Sequence, residues 1–399
     1  MKTTKEILNK FHITRQSISN WEKYGNLKTK RSASNRFIWD EESITWLEKF
    51  IKSKGSNKKN NDVENNYFSI QNRRYLGSKS RLLEFINNVV QKETKNVKTI
   101  ADIFAGTGVV SEMFFNQGKN IIVNDILDSN FVIYKTFFGS EKVDRKKIHK
   151  IIDEMNSITG NKNYVSKNYG NRYFSMENAK KIGSVRQYID NLSNINDREK
   201  AILLTSLLYA MDKVANTVGH YDAYRRVMDS LQPIYFRVPK YPVNFKNSAL
   251  LYHEDANNLV RKIKPDLVYI DTPYNSRQYG DAYHLLENIV DWKKPELYGV
   301  AMKAKDRSKT KSSYSTAKAP EVFSDLIQNI DSRYILVSYN NMAKKGSGRS
   351  NAKISNEEII DILSKRGPVK VFSEDFQVFS TGKTNIKGHK ELLYFVEVK

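Results

Sequence analysis

One stretch narrows the fold more than any other. From Thr99 to Phe104 the chain is apolar enough for a buried strand, and it runs directly into Asp102-Ile103-Phe104-Ala105-Gly106-Thr107-Gly108. Gly106 and Gly108 allow a tight turn and a close approach of backbone to ligand. A helix follows over Val109–Gln117, then a second strand over Lys119–Val123 that ends in Asn124-Asp125. Strand, glycine turn, helix, strand and acid make a nucleotide-binding βαβ unit, whose ligand lies at the carboxyl ends of the strands. The spacing Gly-x-Gly-x-x-Ser departs from the dinucleotide fingerprint, which argues against NAD and leaves room for a smaller adenosine cofactor. Asp125 follows Gly108 at close to the ~20 residues expected of an acid that binds ribose hydroxyls. A non-binding α/β domain is the plainer alternative.

A second stretch supplies chemistry. Leu267-Val268-Tyr269-Ile270 is another buried-looking strand, and it exits into Asp271-Thr272-Pro273-Tyr274. Asp271 offers a hydrogen-bond acceptor, Pro273 locks the turn and Tyr274 offers a flat stacking surface. Those parts suit a planar amino-heterocycle, although Asp, Thr and Pro also serve ordinary turns. The α/β alternation around it starts again at Leu250–Asp255 and continues through a helix over Ala256–Ile263. Asp255, at the end of that strand, joins Asp102, Phe104, Gly106, Gly108 and Asp125 as a candidate for the cofactor site.

Composition bounds the partners. The 399 residues carry a formal net charge of +22, which favours a polyanion, either nucleic acid or an anionic membrane surface. The 23 Tyr and 19 Phe scattered among the lysines tilt this toward nucleic acid, because rings stack on bases. The absence of cysteine excludes disulfides, thiolate chemistry and Cys-ligated zinc, and fits a reducing cytoplasm. The six histidines form no metal-type pair, so no metal is expected. The longest apolar run, Ala201 to Met211, is too short to span a bilayer, and the N-terminus lacks the features of a signal peptide.

Three units are expected along the chain. Residues 1–53 have helical spacing at Thr4–Phe11, a second helix over Arg15–Tyr24 capped by Thr14, a hairpin over Arg31–Trp39 and a third helix from Asp40 to Phe50. This resembles a MerR- or excisionase-like winged helix-turn-helix. The resemblance implies base contacts from Arg15, Gln16 and Ser19 and phosphate contacts from Arg31 and Arg36; a small helical cap with no DNA role is the alternative. Residues 54–66 are polar and of low complexity, as in a flexible linker. The remainder, 67–399, is an α/β domain of about seven strands, with closing strands over Val369–Phe372 and Leu392–Val398 expected to be antiparallel. A mostly helical insertion occupies about 140–250. His220, Tyr221 and Arg225 lie in its ring-rich segment, and Arg277, Lys305 and Arg307 follow the Asp271 turn. All six are candidates for DNA contact. Met302–Ala319 lacks apolar periodicity and reads as a loop, either strand-tracking or simply solvated.

Taken in order, Tyr75-Leu-Gly-Ser-Lys79, Phe104-Ala-Gly-Thr-Gly108, Asp125, the insertion, Asp271-Thr-Pro-Tyr274 and Ser338-Tyr-Asn340 resemble the D12 class of adenine-specific DNA N6-methyltransferases in the alpha arrangement. The resemblance covers roughly residues 67–399. It implies a Rossmann-like seven-stranded sheet with one strand reversed, S-adenosylmethionine as cofactor and duplex DNA as substrate. It places Tyr75 and Lys79 at the cofactor's methionine part, Asp125 at its ribose, and Asp271, Thr272, Pro273 and Tyr274 at a flipped adenine. A cognate restriction endonuclease, a monomeric or weakly dimeric state and an intracellular prokaryotic or phage setting accompany it. Thr272 stands where the family has a proline. The main-chain carbonyl survives that change, but the fixed φ of proline does not. A catalytically weak or inactive DNA-binding regulator therefore stays open, as does an enzyme acting on RNA or on cytosine N4.

Overall fold

The computed structural model describes residues 67–242, 246–273, 276–340, 352–375 and 390–399, together with residues 3, 4, 6, 7, 18, 30–32 and 37–48. The chain divides into two compact units, Met1–Tyr67 and Phe68–Lys399. Of the first unit, Ile7, Ile18, Trp39 and Leu47 are buried. Lys30–Arg31 pairs antiparallel with Phe37–Ile38. Residues 41–48 are helical, and the Asp40 carboxylate caps them by accepting from the Ser43 amide at 2.8 Å. Arg15, Gln16, Ser19 and Arg36 lie outside the described residues, as does the linker 54–66; of Arg31 only the backbone is described.

The second unit is built on seven strands: β1 Thr99–Asp102, β2 Asn120–Asn124, β3 Ala249–Tyr252, β4 Leu267–Ile270, β5 Tyr334–Asn340, β6 Val369–Asp375 and β7 Lys390–Glu397. Their order across the sheet is β6-β7-β5-β4-β1-β2-β3. Every pairing from β5 through β3 is parallel, whereas β7 is antiparallel to both β5 and β6. The expected count of seven strands and the antiparallel closure both hold. The parallel strands β1, β2, β4 and β5 are buried on both faces, which is why they read as apolar runs without alternation, whereas the edge strand β3 is partly exposed.

Twelve α-helices are used here: α1 Leu83–Glu93, α2 Val109–Asn116, α3 Asp128–Phe138, α4 Arg145–Ser157, α5 Tyr164–Tyr169, α6 Met176–Asp190, α7 Asp197–Val214, α8 Ala256–Val260, α9 Tyr279–Ala282, α10 His284–Asp291, α11 Ala319–Asn329 and α12 Asn356–Ser364. Successive strand residues point to opposite faces, so the sheet makes two cores. Ile100, Ile121, Leu267, Tyr269 and Leu336 pack with α1, α2 and α3. Ala101, Ile122, Val268, Ile335 and Val337 pack with α8, α11 and α12. Helices α4–α7 form the expected helical insertion. The helix that carries the apolar run Ala201–Met211 starts earlier, at Asp197, because Asn196 and Glu199 form a capping box, and it stops at Val214, where Ala215 is extended. The segment after the Asp271 turn differs from expectation. Leu297–Tyr298 and Lys303–Ala304 form a short antiparallel hairpin, and two 3-10 turns follow it. A two-residue strand pair is too short for period-2 alternation to be visible in sequence.

Candidate active site

Five loops meet at the carboxyl edge of the sheet and line one cleft. Its walls include Tyr75–Lys79, Asp102–Thr107, Asn124–Leu127, Glu254–Ala256 and Asp271–Pro273. Parallel neighbours β1, β2 and β4 all end there, so the acids that follow them converge. The glycine turn takes the left-handed conformation at Gly106 and Gly108, with φ of +52° and +77°. A Cβ on Gly106 would stand 3.1 Å from the Tyr75 ring, and one on Gly108 only 3.0 Å from Ile70 Cδ1. The Gly106 amide donates to Asp125 Oδ2 at 3.0 Å, and the Leu127 amide to Oδ1 at 2.9 Å. Asp125 thereby ties β2 to the turn after β1, although burial pushes its carboxyl above the usual range. Asp255 caps α8 by accepting from the Asn257 and Asn258 amides. Phe104 meets the Tyr314 ring edge-on at 5.1 Å. Tyr75 stacks on Tyr283, with centroids 4.6 Å apart and planes 4° from parallel, and its hydroxyl accepts from Asn130 Nδ2.

The charges at this edge are strongly coupled. Burial pushes Asp102 up to about 7, against the hydrogen bond it accepts from Ser111 Oγ at 2.7 Å. Asp271 is pushed up to about 6, again by burial, with Lys79 opposing the shift and Glu391 adding to it. Lys79 Nζ lies 3.1 Å from Asp271 Oδ1 and 2.7 Å from Glu391 Oε1. This alters the expectation for Lys79: in the ligand-free protein its ammonium group is engaged by the acid that ends β4. Three buried atoms of the cleft residues have no hydrogen-bond partner, Asp102 Oδ1, Tyr269 Oη and Thr272 Oγ1. Buried polar atoms left unpaired cost about 1–3 kcal/mol each, so the cleft is built for a polar ligand. Thr272 is only 2% exposed. Pro273 follows it in the wall, and Tyr274 lies outside the described residues.

The candidates for DNA contact do not share one environment. His220 is half-buried beside Asp222, its imidazole pushed down by burial and by Arg277. Arg277 reaches Asp222 at 3.5 Å, and Lys303 reaches it at 2.9 Å. Arg307 pairs with Asp281, and Arg225 with Asp229. Lys305 is exposed. Tyr221 corrects the expectation. It is buried, its hydroxyl donates to Asp212 Oδ1 at 2.8 Å, and its amide donates to the Ala282 carbonyl. It packs the insertion against α9 rather than facing a ligand. The Met302–Ala319 cations also have more partners than the neighbouring Asp306, because Asp128, Asp222 and Asp281 arrive from distant parts of the chain. Sequence reasoning missed Glu391, Ser111 and Asn130. Ser111 closes the Gly-x-Gly-x-x-Ser spacing, where it reads only as a departure from the dinucleotide fingerprint; Glu391 is a lone acid at the start of an apolar strand, and Asn130 carries no local pattern.

A seven-stranded sheet of this order, with a glycine turn after β1 and an acid-proline exit after β4, defines a methyltransferase-type α/β fold. Comparison with known proteins narrows the class. The model of the D12 class N6 adenine-specific DNA methyltransferases matches residues 75–347, and the chain belongs to that family. Modification methylase StsI of Streptococcus sanguinis is 35% identical over 363 residues, covering 82% of this chain and 52% of that protein. Modification methylase LlaI of Lactococcus lactis subsp. lactis is 33% identical, covering 80% of this chain and 53% of that protein. The chain thus spans about half the length of these two relatives. The type II methyltransferase M.NlaIII of Neisseria lactamica is 30% identical, covering 79% of this chain and 95% of that protein.

Proposed function

We propose that this protein transfers a methyl group from S-adenosylmethionine to N6 of adenine in duplex DNA, as the modification enzyme of a restriction–modification system. One observation carries the reading: Asp271, the glycine turn and Asp125 line a single cleft at the carboxyl edge of the sheet. Family membership and relatives named as modification methylases support it.

The cleft residues fit the cofactor. Asp125 would accept from the ribose hydroxyls through lone pairs that its two backbone donors leave over. Asp255 and Phe104 would border the adenosine, the open backbone at Gly106 and Gly108 would admit it closely, and Tyr75 with Asp102 would flank the methionine part. When bound, S-adenosylmethionine supplies an electrophilic methyl group on its sulfonium. The residues then have to solve a problem of the substrate. The N6 lone pair of adenine is delocalised into the ring and is a poor nucleophile. Asp271 accepting from one amino hydrogen and the Thr272 carbonyl from the other would pull the nitrogen toward a pyramidal geometry. As N6 gains carbon it gains positive charge and must lose a proton. A fixed carboxylate stabilises that charge and can take the proton. Lys79 helps keep Asp271 ionised beforehand. Tyr274 would stack on the extruded base.

The chain's arrangement in this reading is a helix-turn-helix over 1–53, a linker over 54–66 and a catalytic domain over 67–399 with target recognition at about 140–250. Buried Ile18, Trp39 and Leu47 and the 30–38 strand pair support the first of these. Arg15, Gln16, Ser19, Arg31 and Arg36 would contact DNA there, and His220, Arg225, Arg277, Lys305 and Arg307 beside the cleft. The partner would be a cognate endonuclease, the state a monomer or weak dimer, and the setting the cytoplasm. Among the described residues no helix is long and apolar enough to cross a membrane, and no group of acids and histidines could hold a metal ion. Transfer of labelled methyl from S-adenosylmethionine to bare duplex DNA, followed by sequencing of the modified base, tests the reading. Label on RNA, on cytosine or on nothing would overturn it.

A further inference from the structure

The reversal of β7 brings a charge to the cleft that no loop supplies. Strands β4 and β5 run parallel and end at the cleft edge. Because β7 is antiparallel to β5, its first residues arrive at that same edge, with Glu391 opposite Asn340 in the register. The Glu391 side chain is 5% exposed, and its Oε1 accepts from Lys79 Nζ at 2.7 Å and from Ser338 Oγ at 3.0 Å. The same ammonium group also lies 3.1 Å from Asp271 Oδ1.

Resting on the proposed reading of Asp271 as the amino-group acceptor, we propose that Glu391 is its positioning residue, acting through Lys79. Burying a carboxylate without need would be costly. Here the second carboxylate does something one lysine–aspartate pair cannot. It fixes the flexible lysine stem at its far end, so that Nζ is held in place against Asp271 Oδ1. It also sets the balance of charge. One ammonium group serves two carboxylates, so Asp271 keeps an acceptor's basicity instead of being neutralised by a full partner. The groups facing Asp271 are Lys79 from the segment before α1, Asp102 from β1, Tyr269 from its own strand and Glu391 from β7. Of these Glu391 pairs with Asp271's own counter-ion. Ser338 is the second support, since its hydroxyl holds the glutamate oxygen that Lys79 also uses.

The direction of the effect is definite. A neighbouring negative charge disfavours ionisation of a carboxyl and a positive one favours it. Glu391→Gln keeps the shape and the amide oxygen that accepts from Lys79, and removes the charge. Asp271 then has the lysine to itself, and its titration moves to lower pH. The measurement is a carbon-13 carboxyl NMR titration of ligand-free protein labelled at aspartate, with Asp271→Asn used to assign the signal. In the wild type Asp271 titrates near pH 6. In Glu391→Gln the midpoint lies at measurably lower pH, because the neighbouring negative charge that raised it is gone. The acid limb of single-turnover methylation moves the same way. Glu391→Ala, which frees the lysine, slows transfer by about tenfold or more, as for a general acid–base group left unaligned, while cofactor affinity stays near that of the wild type. An Asp271 midpoint unchanged in Glu391→Gln, or wild-type transfer by Glu391→Ala, overturns the inference. The titration needs no turnover, so a wild-type protein that methylates no adenine would sink the proposed function and leave this inference to the NMR result.

Discussion

Asp271 is under two opposed demands. In the proposed transfer it has to be buried, to act on a base out of water, and ionised, to accept a hydrogen bond from an amino group. Its side chain is 18% exposed, and the Lys79 ammonium group is what reconciles the two. Asp271→Ala should lower single-turnover methylation by about 10²–10³, the usual loss for one preorganised electrostatic partner, with duplex DNA binding largely intact. Turnover within a few-fold of wild type would remove Asp271 from the chemistry. Thr272 makes a separate point. Only its main-chain carbonyl takes part in the proposed transfer, yet its buried hydroxyl has no partner. Thr272→Val keeps the shape and removes the unpaired hydroxyl, which is worth about 1–3 kcal/mol when buried. The ligand-free variant should melt higher than the wild type and methylate within a few-fold of it. A collapse in rate comparable to that of Asp271→Ala would show that the hydroxyl contacts substrate or cofactor.

At the scale of elements, the β1–turn–α2 unit trades stability for a binding site. Both turn glycines sit in the left-handed region, where a residue with Cβ pays about 1–2 kcal/mol. Asp102 closes the end of β1 against α2 through Ser111. Its carboxyl titrates near 7 in the folded protein against 3.8 unfolded. The folded state therefore holds the proton more tightly, so stability contributed by this group is present below the unfolded pKa and is lost as pH rises from about 4 to about 7. Asp102→Asn cannot ionise and can still accept from Ser111. Thermal unfolding of ligand-free protein should show the variant gaining on the wild type at pH 8 and matching it near pH 4. Equal differences at both pH values would mean that Asp102 does not titrate in this range.

At the scale of the molecule, the charge of +22 is not spread evenly in its effects. Several cations flanking the cleft are already paired with Asp128, Asp222 or Asp281. They have to exchange carboxylate for phosphate to meet DNA, which makes their contribution smaller than their number. In the proposed arrangement the first unit would then matter for affinity. A chain beginning at Asn66 should keep cofactor binding and some methylation, and bind duplex DNA more weakly and with a shallower dependence on salt, because fewer counterions are released. Equal affinity of the short and full chains across salt concentrations would assign residues 1–53 to another task, such as contact with a protein.

What the sequence by itself determined was the part of the fold written in local periods. The apolar runs at 99–104, 119–123 and 267–270 became β1, β2 and β4, because strands buried on both faces need little more than apolar residues in a row. The glycines after β1 and the acids after β1, β2 and β4 were legible for the same reason: a parallel sheet delivers each strand's exit to one edge. The tertiary structure alone decided which charges face one another. Lys79 and Glu391 are separated by most of the catalytic unit in sequence, and only the reversed β7 makes them neighbours. Tyr221 looked like a ring for a base until the insertion folded back and gave its hydroxyl to Asp212. Ion pairs between distant segments leave no spacing to read, since the energy that selects them arises only when folding has removed the water between them.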